Sequence, residues 1–148
     1  MKRSAFVLAL VGVMFAAAVS TQANDAAKQL FEQYVTLGHA YDSGVADLYS
    51  DDALIKNKRT YPSGKVRELT MPAGDYKALI RQAMPLAKAR GDRSTYSNVK
   101  YAAEGSRVRI TASRFSELKN YTSPISLLVG PSANGRWVIY EEISESRP

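Results

Sequence analysis

The chain of 148 residues has no cysteine and a single histidine. Without thiols there can be no disulfide, thiolate nucleophile or lipid-bearing cysteine, so stability has to come from hydrophobic burial. One imidazole is too few for a zinc cluster, and no serine sits in a G-x-S-x-G setting. The expectation is no metal and no cofactor. A long apolar run is missing too: the uncharged stretch from Ala5 to Val19 falls short of the roughly 20 residues that span a membrane. Lys2 and Arg3 precede it and Thr21-Gln22-Ala23 follows it, the order of a secretory leader cleaved after Ala23. The pattern therefore predicts a leader over 1–23, one domain over 24–148, and a periplasmic or secreted location with no stable membrane anchor. A strong excess of one charge is missing as well. The net +6 falls to +4 once the leader takes Lys2 and Arg3, too mild a balance to indicate a nucleic-acid partner.

What is present has a clear order. From Asp25, residues Leu30, Phe31, Tyr34, Val35, Gly38 and Tyr41 recur at helical spacing. Asp42-Ser43-Gly44 interrupts them, and Val45, Leu48 and Tyr49 suggest a short second helix from Ser43. From Ala53 the period becomes two, with Ala53, Ile55, Asn57, Arg59 and Tyr61 on one face and Lys56 and Lys58 on the other. Tyr61-Pro62-Ser63-Gly64 is a turn and Lys65 to Met71 the partner strand. Asp75 is the expected N-cap of a third helix, kinked at Pro85 and stopped at Gly91. Four strands follow, Ser94–Glu104, Ser106–Leu118, Tyr121–Gly130 and Arg136–Ser144, with turns at Gly105 and Asn134-Gly135. Helices gathered in the N-terminal half against such strands make an α+β domain.

The segments EQYVTLGHAYDSGVADLYSDDALI, GDYKALI and GRWVIYEEIS resemble the nuclear transport factor two-like superfamily, which includes ketosteroid isomerases and SnoaL-like cyclases. The resemblance covers essentially all of residues 24–148. It implies a cone: a curved, mixed, mostly antiparallel sheet wrapped on three helices, with a pocket. It does not specify a reaction. Residue by residue, Tyr34 falls where the isomerases place an oxyanion donor, though it also fits a packed core tyrosine. Asn57 stands where they place the aspartate base, and an amide cannot take that proton. Ser126 falls near the second acid. The resemblance therefore argues against isomerase chemistry.

Arg59 shares the Asn57 face, and Arg109 with Thr111 alternates against Val108 and Ile110. Convergence of these groups would suit an anionic or carbonyl-bearing ligand, while a solvated strand face is the plain alternative. Glu141 and Glu142 point to opposite faces, and one of them is the remaining candidate acid or base. His39 reads as an exposed helix histidine, and Asp51-Asp52 as capping of a helix-to-strand junction. The expected pocket is Tyr34, Asn57, Arg59, Arg109, Ser126 and Glu141. The leading expectation is an exported module that binds a small organic ligand without turnover. The alternatives are a cyclase, dehydratase or hydrolase using Glu141 or Glu142 with Tyr34, and a structural or protein-interaction domain. Ile125, Leu127 and Val129 are expected outside, covered by a homodimer through the sheet; the opposite register would make them core.

Overall fold

The computed structural model describes the backbone of residues 7–148 and side chains from Thr21 onward. Lys2 and Arg3, and the side chains of the apolar run to Val19, lie outside the described residues. The elements are α1 (Val7–His39), a 3-10 helix (Ser43–Leu48), β1 (Tyr49–Thr60), β2 (Val66–Pro72), α2 (Ala73–Arg90), β3 (Ser94–Glu104), β4 (Arg107–Ser116), β5 (Tyr121–Pro131) and β6 (Trp137–Ser146). They build one six-stranded sheet in the order β2-β1-β6-β5-β4-β3. Only the β1–β6 pair is parallel, which matches the mixed, mostly antiparallel sheet expected of the α+β domain.

Local chemistry sets most boundaries. The Asp42 carboxylate accepts from the Gly44 amide at 2.7 Å and starts the 3-10 helix. Gly91, at φ 65°, closes α2 with its amide directed at the Ala87 and Lys88 carbonyls, the left-handed C-terminal cap that favours glycine. Three boundaries differ most from expectation: helix α1 begins at Val7, well before Asp25, and runs on through Ala23. Strand β1 begins at Tyr49, four residues before Ala53, because Tyr49 pairs with Ile139 on β6. Helix α2 begins at Ala73, directly after the extended Pro72, so Asp75 sits in its first turn instead of capping it; there its charge faces the positive end of the helix. Pro85 lies inside α2, which continues past it to Arg90.

The sheet buries one face against the helices. Strand β1 alternates as expected, with Ala53 and Ile55 buried and Leu54, Lys56 and Lys58 exposed. On β4 and β6 the inward residues are Val108, Ile110 and Ala112, and Glu142 and Ser144. On β5 the inward set is Ile125, Leu127 and Val129, which corrects the expected register. These three form the core with Ala27, Leu30 and Phe31 of α1, so they do not form the apolar outer patch that the expected homodimer would cover. Ser126 and Leu128 point the other way, away from the helices.

Candidate functional site

Between α1, α2 and the inner face of the sheet lies a cavity of about 390 Å³. Five tyrosines line it, and besides Tyr121 of β5 four of them gather in one cluster: Tyr34 of α1, Tyr49 of β1, Tyr76 of α2 and Tyr96 of β3. Their rings brace one another. Tyr49 and Tyr76 meet edge to face at 5.3 Å, and Tyr34 and Tyr96 at 5.9 Å with Phe31 against both. Offset and edge-on contacts of this kind add to burial.

Beneath them lies Glu142, 2% exposed. The Tyr49 hydroxyl donates to its Oε2, and the Tyr76 hydroxyl donates to its Oε1 at 3.0 Å. Burial pushes the Glu142 carboxyl above the usual carboxylate range, opposed by the two hydroxyl donors and by Arg114. Burial likewise raises Tyr34, Tyr49 and Tyr76 well above the ordinary phenol value, and the Glu142 charge adds to it. These phenols are neutral donors, not bases. Because each phenol has one proton, Tyr49 and Tyr76 spend theirs on Glu142 and offer the cavity acceptor lone pairs.

The rest of the cavity wall is cationic in its charged groups. Arg59, Arg93, Arg114, Lys119 and Arg147 line it, against the single carboxylate of Asp92. Arg93 is paired with Glu117 at 3.1 Å. His39, expected to be exposed, is half-buried at the rim and donates from Nε2 to the Ser94 carbonyl at 2.8 Å. That bond fixes its ring and ties the end of α1 to β3.

The structure divides the expected pocket residues. Tyr34 and Arg59 line the cavity. Asn57 lies on the inner face, but its amide is engaged: Nδ2 donates to Ser144 Oγ at 2.9 Å and Oδ1 accepts from Ser146 Oγ at 2.8 Å. It binds β1 to β6. Arg109, Ser126 and Glu141 are on the outer face, where Arg109 contacts Ser126 at 3.2 Å, Glu141 at 2.6 Å and Glu104 at 3.0 Å. Their parity requires this, since Arg109 lies between the buried Val108 and Ile110. Of the glutamate pair, Glu142 is the inner one. Asp51 and Asp52 lie within β1 and not at a helix junction, and Lys77 pairs with Asp51 at 2.7 Å. Among the described residues no acidic, histidine or cysteine group could hold a metal ion, and no helix is long and apolar enough to cross a membrane. Sequence reasoning missed Arg114, Tyr76 and Tyr96. Arg114 was accessible to it, two steps along β4 from Ala112 and four from Ile110.

No family model matches the chain, and no curated protein does. Solved structures do. A nuclear transport factor two-like protein of unknown function from Pseudomonas putida superposes with a TM-score of 0.65 at 13% identity, covering 85% of this chain and 87% of that one. Another, with a cystatin-like fold, from Novosphingobium aromaticivorans, gives 0.60 at 14% identity over 89% and 86%. A candidate ketosteroid isomerase from Shewanella frigidimarina gives 0.57 at 18% identity over 80% and 94%. The curled sheet, with its helices and cavity on the inner side, therefore has the nuclear transport factor two-like fold.

Proposed function

We propose that this chain is an exported binding or accessory module whose inner cavity holds a small organic ligand, anionic or carbonyl-bearing, without turning it over. One observation carries the reading: the cavity is open and lined by both polar and apolar groups, yet Glu142 is not among its lining residues and lies buried behind the Tyr49 and Tyr76 hydroxyls that bond it. A volume of about 390 Å³ falls in the range of small-molecule sites. A general base needs a lone pair within reach of its proton, and the Asn57 amide at the isomerase position is bonded to Ser144 and Ser146.

The test is thermal unfolding with a panel of small organic acids, ketones and amides, followed by mass spectrometry of the recovered compounds. At least one acid or carbonyl compound is expected to raise the midpoint and be recovered unchanged. A product formed by the wild type and lost in Glu142→Gln would replace this reading with the enzymatic one, to which the candidate isomerase neighbour and the raised Glu142 carboxyl lend support.

Export rests on the leader pattern. Ala27, Leu30 and Phe31, the core residues of α1, all follow Ala23, so cleavage there spares them. Intact-mass analysis of the chain expressed with its leader should show loss of 23 residues and a new terminus at Asn24. Retention of Met1 in a membrane fraction would contradict export.

A further inference from the structure

Across the inner face one row of the sheet is polar where the rows beside it are apolar. Arg59 on β1 pairs with Ser146 on β6, and Arg114 on β4 pairs with Ser123 on β5 and with Tyr96 on β3. Ile125 pairs with Ser144 in the antiparallel β5–β6 ladder, so two residues further along Ser123 stands opposite Ser146. The row therefore reads Arg59, Ser146, Ser123, Arg114, Tyr96. Three strand spacings of about 4.8 Å put the two arginines roughly 14 Å apart at their Cα atoms, and both line the same cavity.

Polar groups in this row lack partners. Arg59 Nε is buried with none, and so is Ser123 Oγ on a residue 6% exposed. The Arg59 guanidinium sits 5.7 Å from the Tyr61 ring. Arg114 donates to the Glu145 carbonyl at 2.7 Å, and among the described residues neither arginine has a carboxylate within ion-pair distance. Arg109, outside, shows the contrast: Glu104 and Glu141 both neutralise it. A buried donor without a partner is costly, and although the buried Glu142 charge favours the Arg114 cation it forms no ion pair with it, so both guanidinium groups remain open to an anion in the cavity. Away from the row the cavity wall turns apolar, with Val35 and Val45 on one side and Ile80 and Met84 of α2 on the other.

We infer that Arg59 and Arg114 clamp the carboxylate of an amphiphilic organic acid, whose apolar body lies between α1 and α2. Guanidinium groups present planar, paired donors that match a carboxylate. Asn57 holds Ser146 in place, and Ser123 supplies a hydroxyl under the head group. The inference rests on the cavity being the ligand site and names the class of ligand it takes.

Calorimetric titration with octanoate and 3-phenylpropionate, against octanol and 3-phenylpropanamide, tests it. The acids are expected to bind, their neutral counterparts about tenfold more weakly or worse, and Arg59→Gln and Arg114→Gln each to lose about tenfold in affinity, the scale of one charge-assisted contact. Arg109→Gln removes the same charge from the outer face and should stay within about twofold, since a distant exposed charge is screened. Circular dichroism checks folding, and Arg59→Gln alone suffices if Arg114→Gln unfolds. Equal binding of acids and neutral counterparts, insensitive to both inner arginines but weakened by Tyr34→Phe, would overturn the clamp and keep the cavity as the ligand site. Binding of none of the four probes would overturn the clamp; the cavity reading would fall only if the broader panel above also gave no ligand.

Discussion

Glu142→Ala is expected to cost about 3–5 kcal/mol of unfolding free energy, while Glu142→Gln costs little or stabilises the fold at neutral pH. Alanine strands two buried donors at once, the Tyr49 and Tyr76 hydroxyls, and leaves a void among packed rings. Glutamine fills the same space: its carbonyl accepts from one hydroxyl and its amide donates to the oxygen of the other. The pair also separates by pH. Burial raises the folded Glu142 value above 4.5, so between 4.5 and the raised value the native state holds a proton that the unfolded chain has released. Stability must then fall as pH rises through that window and level off above it. The opposite trend comes from Asp51 and Glu104, lowered by hydrogen bonds from Lys77 and Arg109, but it is complete above their ordinary values and common to both proteins. Urea unfolding of wild type and Glu142→Gln from pH 5 to 8 should show a difference that grows with pH and then flattens. A difference independent of pH would mean that Glu142 has no raised value.

Leu127→Ala is expected to cost about 3–5 kcal/mol, and its neighbour Leu128→Ala less than about 1 kcal/mol. Leu127 is 1% exposed and stands in register between Ile110 and Glu142. Leu128 pairs with Arg109 and Glu141 on the outer face, where truncation leaves no enclosed cavity. Equilibrium unfolding in urea measures both. Reversal of the ranking would restore the register in which Leu127 faces outward.

That contrast shows what the sequence could and could not convey. Element order was readable because each boundary carries a local signal: Asp42 before the 3-10 helix, Gly91 after α2, Gly105 and Gly135 in the hairpins. Face parity was readable on β1, where lysines alternate with Ala53 and Ile55. On β5 it was not, because Leu128 and Ser126 alternate with Ile125 and Leu127, and the pattern alone does not say which set meets the helices. The assignment of Ser126 to the pocket came from the resemblance, while Arg109 and Glu141 came from strand alternation, which separates two faces without saying which of them is the inner one. The Glu142 network was beyond local reading for another reason. Tyr49 reads as the end of a helical pattern, yet it opens β1 and reaches a carboxylate 93 residues away, a contact made by strand pairing and not by periodicity.

The central claim, that the inner cavity is the ligand site, is tested most directly by mapping backbone amide shifts of isotopically labelled protein during titration with octanoate or 3-phenylpropionate. Perturbations should concentrate at the end of α1 near Val35 and His39, along α2 at Ile80 and Met84, and on β3 and β4 at Tyr96 and Arg114. Shifts gathered instead around Arg109, Ser126 and Glu141 on the outer face would contradict it.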